Sequence, residues 1–280
     1  MKQEHSVQRL CEVLNVSASG YYAWCQRQSQ PSPRSLADQE LLAELKRWHA
    51  DSRQTYGSPR LQAALRQQGR RHGRRRIARL MQQAGLVGRQ PRRFRLRTTD
   101  SAHALPVAPN RLAAVATATA PNQLWVADVT CMPTDEGWLY LAGVLDLFSR
   151  HNVGWAMSDH NDTALVLAAW TMALEQRRPP SGILFHSDRG SNYASGDFRA
   201  ALQQAKAIPS MSRAGNCYDN ATMESFWSTL KFELVYREHF ATRAQAKARL
   251  FDYIEVFYNR QRLHSALNYL SPVDFELLNN

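Results

Sequence analysis

From Gln123 onward the chain alternates two kinds of apolar pattern, and that alternation limits the fold more than any other feature. "LWVADVT", "WLYLAGVLDLF" and "HNVGWAMS" have the length and the β-branched and aromatic content of strands, the last two joined by a turn near Ser149–Arg150. "DTALVLAAWTMALEQ" then reads as a helix with Asp162 or Thr163 as its cap. "GILFHSD" is a fourth strand, "DFRAALQQAK" a helix, and "IPSMS" a short fifth strand. "GNCYDNATMESFWSTLKFELVY" is a turn followed by a long helix. Three strands, helix, strand, helix, strand, helix predicts an α/β domain built on a mixed five-stranded sheet.

Upstream of this domain the periodicity is helical. Val7, Leu10 and Leu14 predict a first short helix, and "VSASGYYAW" a turn into a second. The pair is either a small helix-turn-helix or a plain helical hairpin. Residues 36–49 predict a firmer helix with Leu41, Leu45 and Trp48 on one face. In "YGSPRLQAALRQQG", Ser58 is placed to cap, Pro59 to take the first helical position and Gly69 to stop the helix. "GRRRIARLMQQAGL" follows with Ile77, Leu80 and Met81 inward, arginines outward and Gly85 as the stop. Two short helices across a glycine turn, the second rich in arginine, resemble a helix-turn-helix. Between 98 and 121 small residues and prolines dominate, which reads as a linker.

Charge is concentrated in the same place. The net charge is +11, yet Arg66 to Arg97 holds twelve arginines and no Asp, Glu or Lys, leaving 23 basic against 24 acidic residues elsewhere. A basic block beside a near-neutral remainder is a polyanion-binding pattern, since solvated faces usually mix both signs. Arg74, Arg75, Arg76 and Arg79 on the second helix, with Arg92 and Arg93 in the tail after it, are the candidate DNA contacts. The four cysteines form no CxxC pair, which speaks against a cysteine zinc site and a disulfide framework and favours a reducing cytoplasm. No run of about 18 apolar residues is present and the start lacks a secretory pattern, so no membrane partner is expected.

Candidate chemistry rests on carboxylates. Asp128 lies inside the first strand, where aspartate is disfavoured. In "FHSDRGSNYAS", Asp188 ends the fourth strand, and Glu224 opens the last long helix. If the strands of Asp128 and Asp188 are neighbours, their carboxylates meet at one sheet end and the helix brings Glu224 over them. Three carboxylates without His or Cys make a hard, oxygen-rich site suited to Mg²⁺ or Mn²⁺. Two such ions about 3.5–4 Å apart can clamp an in-line phosphoryl displacement. Each residue also has a plainer reading: an Asx-turn for Asp188, a helix N-terminus for Glu224, an arginine partner for Asp128. Asp146 stands at a hairpin turn and is set aside.

"WVADVT", "FHSDRGSNYAS" and "NCYDNATMESFWSTLKFELV" together resemble the insertion-sequence transposases whose core is similar to retroviral integrases. Thirty-five residues separate Asp188 from Glu224, and Lys231 follows Glu224 by seven, as in that group. The upstream "YGSPRLQAAL" and the terminal "YNRQRLHSALNYLSP" fit it too, so the resemblance covers most of the chain. It implies a ribonuclease H-like core, a triad of Asp128, Asp188 and Glu224 holding two Mg²⁺ ions with Mn²⁺ as substitute, and cleavage and strand transfer at terminal inverted repeats. It also implies a homo-oligomer on DNA. Products of this kind are often second reading frames, fused by frameshifting to an upstream helix-turn-helix and zipper protein, which makes such a protein a candidate partner. A bacterial, nucleoid-associated setting follows.

On the last helix of that core, Met223, Phe226, Leu230 and Leu234 form one stripe and Glu224, Ser228 and Lys231 the next, so one side is free for phosphate. Lys231 is expected to touch the DNA backbone, or else to be a solvated lysine. Asn216 and Asn220 in the loop before the helix offer donors to DNA, or serve as turn and cap residues. His186, beside Asp188, is expected behind the carboxylates, whereas His264 is expected to be structural. The expected division is a helical N-terminal segment (1–35), a basic helix-turn-helix-like module (36–97), a linker (98–121), a ribonuclease H-like core (122–236) and a helical extension (237–280). Two rivals stand beside the transposase reading: a DNA-binding regulator of transposition without catalysis, and a ribonuclease H-like nuclease without strand transfer.

Overall fold

A computed structural model describes residues 5–30, 32–89, 105–112, 117–213 and 220–279, with the backbone alone at 27–29. Arg92, Arg93 and Asn216 lie outside the described residues. The chain forms two compact units, Met1–Val87 and Gly88–Asn280.

The first unit is helical: α1 (Val7–Val13), α2 (Ala18–Ser29), α3 (Pro33–Asp51), α4 (Ser58–Gln67) and α5 (Arg74–Gln83). Ser6, Ser17 and Ser32 cap the first three through hydroxyls that accept the N–H of Arg9, Gly20 and Ser35. Leu41 and Leu45 of α3, Leu61, Ala64 and Leu65 of α4, and Ile77, Leu80 and Met81 of α5 are buried and form its core. Two details differ from expectation. The third inward residue of α3 is His49, whose Nε2 lies 3.2 Å from the Val87 carbonyl oxygen, while Trp48 is half-buried. The cap of α4 is Gly57, and Ser58 is its first helical residue with no side-chain capping bond. Gly69 and Gly85 have φ of 77° and 66°, a conformation that ends a helix and suits glycine.

The second unit holds a five-stranded sheet made of β1 (Leu124–Thr134), β2 (Gly137–Asp146), β3 (Asn152–Ser158), β4 (Leu184–Ser187) and β5 (Ile208–Met211). The spatial order is β3-β2-β1-β4-β5. β1–β2 and β2–β3 are antiparallel; β1–β4 and β4–β5 are parallel. This is the mixed five-stranded sheet that the alternating pattern predicts, in the ribonuclease H-like arrangement that the resemblance implies. α6 (Thr163–Arg177) crosses from β3 to β4. α7 (Ser191–Ala194) and α8 (Gly196–Gln204) cross from β4 to β5, and α9 (Ala221–Glu233) follows.

Strand alternation sorts the faces. Trp125, Ala127, Ala142, Val144, Val153 and Phe185 form the main core with Leu165, Val166, Ala169, Trp170 and Ala173 of α6 and with Tyr193, Phe198 and Leu202. Trp170 packs edge-on against Trp125 and Phe185, with centroids 5.7 and 5.0 Å away. Gly154 lets α6 approach: a Cβ there would lie 2.4 Å from the Ala169 carbonyl oxygen. Leu124 and Leu184 pack in a smaller cluster with Ala118, Leu112, Leu147 and Phe148. The stretch expected as a linker is therefore held by the core where it is described. Arg111 and Leu112 also donate their backbone N–H groups to Ser210 Oγ, at 2.9 and 3.3 Å.

Beyond α9 come α10 (Arg243–Phe251), a π-helical turn (Asp252–Tyr258) and α11 (Pro272–Asn279). Ile254, Phe257 and Tyr258 are buried, whereas Phe251 is exposed. Asn259 exchanges two hydrogen bonds with the Asn152 backbone, both 3.0 Å, so this residue holds the core together. Arg262 makes a buried two-pronged ion pair with Glu233 at the end of α9, each contact 2.8 Å, and the Tyr253 hydroxyl donates to the same carboxylate. His264 is buried and stacks edge-on against Tyr258.

Candidate active site

The parallel pairing of β1 with β4 ends at Val126↔His186, two residues short of Asp128 on one strand and of Asp188 on the other. Asp188 therefore follows the end of β4 beside Asp128, which lies inside β1 opposite Gly143 of β2. Asp128 is half-buried on the face opposite Trp125 and Ala127. Burial pushes its carboxyl up, and repulsion from Asp188 pushes it further, to about 8; the Val129 N–H and the Trp227 indole pull the other way, and Glu224 adds a smaller repulsion. The indole Nε1 of Trp227 donates to Asp128 Oδ2 at 3.0 Å. Among the described residues no arginine pairs with Asp128; the charges around it are the carboxylates of Asp188 and Glu224 and the ammonium of Lys231.

Asp188 does form the Asx-turn of its plainer reading, its Oδ1 accepting the Gly190 N–H at 2.9 Å. That bond fixes the carboxylate without removing it from Asp128. Glu224 sits in the first turn of α9, exposed. Among the described residues no three acidic, histidine or cysteine side chains gather closely enough to hold an ion by themselves. What the fold brings together is the pair Asp128–Asp188, with Glu224 within electrostatic reach. Tyr193 of α7 was not singled out in the sequence, yet its buried phenol lies in the field of both aspartates. Burial first, then those carboxylates, push its pKa well above the usual value and keep it neutral.

Lys231 is half-buried. Burial lowers its ammonium pKa, opposed by attraction to Cys131 and Asp128, so it lies in the field of Asp128. His186 is fully buried within the sheet, with Nδ1 2.9 Å from Ser210 Oγ and Nε2 3.1 Å from Ser212 Oγ. Ser210 Oγ already accepts two backbone N–H groups, so its proton goes to Nδ1 and the ring carries its own proton on Nε2. This histidine ties β5 and the preceding stretch to β4. Asn220 is buried as well, its Nδ2 donating to the Ala127 carbonyl at 3.2 Å, which places its amide inside the protein.

On the first unit, Arg74 and Arg75 are exposed at the start of α5. Arg76 and Arg79 both bind Asp38 of α3 at 2.6 Å, and those hydrogen bonds, Arg79 first, hold the Asp38 carboxyl below its usual range. Arg70 pairs with Glu44. Part of the basic block is thus neutralised within the unit. Sequence reading missed Asp38, because an ion pair between helices 38 residues apart depends on their packing.

Integrase core domain families match residues 118–217 and 224–278, and an HTH-like domain family matches residues 36–94. Fold and matches define an integrase-core protein with a helical HTH-like domain. "Transposase InsF for insertion sequence IS3A" of Escherichia coli K12 is 42% identical over 273 residues, covering 98% of this chain and 94% of its own. An "Insertion element IS600 uncharacterized 31 kDa protein" of Shigella sonnei is 48% identical over 266 residues, 95% of this chain and 97% of its own. The chain belongs to this family, the insertion-sequence transposases of the IS3 type. Among solved structures, a simian T-cell lymphotropic virus intasome in complex with a PP2A regulatory subunit aligns with 77% of this chain and 70% of its own at 16% identity and a TM-score of 0.48, a loose fit. No described helix is long and apolar enough to cross a membrane.

Proposed function

We propose that the chain cuts DNA at the terminal inverted repeats of its element and joins the freed ends to target DNA, with Asp128, Asp188 and Glu224 as its metal-holding triad. The observation that carries this reading is the juxtaposition of Asp128, inside β1, with Asp188 at the end of β4, where burial and mutual repulsion disfavour two negative charges. An all-oxygen pair under that repulsion fits a hard divalent cation, Mg²⁺ or Mn²⁺, and lacks the nitrogen and sulfur ligands of a tight zinc site. When bound, two such ions would supply Lewis-acid stabilisation of the phosphoryl oxygens and lower the pKa of the attacking water.

In the first step water attacks the phosphorus at the element end, a P–O bond forms, and the P–O3′ bond breaks to leave a 3′-OH on the element. In the second, that 3′-OH attacks a target phosphodiester and releases a target 3′-OH. Asp128 and Asp188 would hold the ions and Glu224 would complete the set. Lys231 lies seven residues beyond Glu224, about 10.5 Å along α9, which suits a phosphate near the scissile bond. Arg74 and Arg75 would contribute phosphate contacts from the first unit, together with Arg92, Arg93 and Asn216. Family membership supports a homo-oligomer on paired ends, an upstream-frame partner, and action at the bacterial nucleoid.

The test is nicking of a terminal-repeat oligonucleotide in Mg²⁺, followed by joining of a pre-cut 3′-OH end to target DNA. Asp128→Asn should abolish both while leaving DNA binding near wild type. Cleavage retained by that variant removes Asp128 from the chemistry. Nicking without joining assigns the chain to simple nucleases.

A further inference from the structure

α9 and its cap residue reach the site by two contacts that flank Glu224, one to the Ala127 backbone carbonyl and one to the side chain of the next residue, Asp128. Carbonyls alternate in direction along a strand. Gln123 O accepts from Leu184 on β4, and Leu124 O accepts from Leu147 on the opposite side. By that alternation the Ala127 carbonyl points toward β4. Pairing with β4 stops at Val126, so this carbonyl has no strand partner. Asn220 supplies one through its Nδ2. Asparagine at the head of a helix usually caps it, but Asn220 makes no capping bond. Its side chain is committed to β1, and among the described residues its Oδ1 is buried without a partner.

The second contact is the indole of Trp227 on Asp128 Oδ2. It depends on Gly143, which sits directly across from Asp128 on β2. A Cβ at Gly143 would lie 2.9 Å from Trp227 Cη2 and 3.3 Å from Cζ2, so a bare backbone is what admits the ring. Asn220, Glu224 and Trp227 are spaced four and three residues apart, which aligns them on one helical stripe. Glu224 is thus suspended between two anchors that bind Ala127 and Asp128.

We infer that Asn220 and Trp227, with the slot at Gly143, are positioning residues that set Glu224 against Asp128 for metal. The inference rests on the proposed triad and goes beyond it by naming what aligns the triad. Neither residue touches DNA or reacting atoms in this role.

The test is Mn²⁺ binding to the DNA-free full-length chain, read by electron paramagnetic resonance, beside single-turnover joining of a pre-cut end. Trp227→Phe keeps a ring in the slot and removes only the donor. Asn220→Ala removes the other anchor, so that failure of one variant to fold leaves the second. Both should keep wild-type DNA affinity and weaken Mn²⁺ binding about 10- to 100-fold, the usual effect of losing a partner that orients a metal ligand, with joining falling in step. Trp155→Phe is the control. It deletes an indole donor to Glu255 (2.7 Å) two strands from Asp128 and should leave Mn²⁺ affinity unchanged. Wild-type Mn²⁺ affinity in both folded variants overturns the clamp while leaving the triad standing. A wild-type chain that neither binds Mn²⁺ nor joins DNA overturns the triad and the clamp together.

Discussion

Asp128 should make the metal-free core less stable as pH rises, and removing its charge should stabilise it. An unfolded aspartate ionises near 3.8, whereas burial and Asp188 move Asp128 to about 8 in the fold. Between those values the folded state keeps a proton that the unfolded state has released, so stability falls with rising pH throughout the window. At pH 7 about 3 units of it have been crossed; at about 1.4 kcal/mol per unit, the destabilisation is at most about 4 kcal/mol. That is an upper bound, because the repulsion is shared with Asp188. Asp128→Asn is neutral at every pH and retains an oxygen for the Trp227 indole. In EDTA it should be about 2–4 kcal/mol more stable than wild type at pH 7, with the difference vanishing as pH falls toward 4. Calorimetry of the whole chain between pH 4 and 8 reads this directly, and Mg²⁺ should raise the wild-type transition more than that of the variant. Parallel pH profiles for the two proteins would refute the reasoning, because they would mean that Asp128 is an ordinary solvated carboxylate.

Replacing Arg74 and Arg75 together with Ala should flatten the salt dependence of DNA binding by about two slope units, one per lost phosphate contact; an unchanged slope places the binding surface elsewhere. Lys231→Ala should slow joining of a pre-cut end by an amount worth about 1.5–3 kcal/mol, with Lys231→Arg milder, and equal single-turnover rates would sink the proposed DNA role. Burial opposes ionisation of Glu276, but hydrogen bonds from His151, Arg177 and Ser149 outweigh it and hold its carboxyl down at about 2. Its contribution is therefore complete above about pH 4.5 and lost as pH falls toward 2, so Glu276→Gln should lower stability at pH 7 by up to about 3 kcal/mol and flatten the acid limb of an unfolding profile.

The sheet was legible because strand and helix leave different periods in the chain, and Asp128 and Asp188 because a charge in or at the end of an apolar run is conspicuous. Strand ends were less so. β1 runs on to Thr134 because its hairpin with β2 continues past the end of β4, through Pro133 opposite Trp138, where only one neighbour needs its backbone. The anchors of α9 were not legible. Trp227 reads as one more apolar residue of an amphipathic helix and Asn220 as a turn residue; their partners lie 99 and 93 residues away and appear only when the helix docks. Glu233 and Arg262 are hidden likewise, because in sequence each is an ordinary charge on a helical or loop segment. The sequence does contain one clue to the Trp227 slot: Gly143 interrupts "WLYLAGVLDLF" at a position where a β-branched residue would otherwise strengthen the strand.

Two strand aspartates of this chain show what separates a chemical carboxylate from a structural one. Asp146 is more deeply buried than Asp128, and burial raises its pKa too, against the backbone bonds from Asn122 and Phe148. Depth alone would rank it first. Yet Asp146 accepts the Asn122 N–H at 2.6 Å, the Phe148 N–H at 2.9 Å and the Trp125 indole at 3.3 Å, so its charge is met by fixed donors that tie the β2–β3 turn to the start of β1. A cation would have to displace those bonds. Asp128 has one indole, one backbone N–H and a second aspartate whose repulsion it cannot escape without a proton or a cation. The distinguishing feature is therefore unmet negative charge beside another carboxylate, and among these two aspartates only Asp128 carries it.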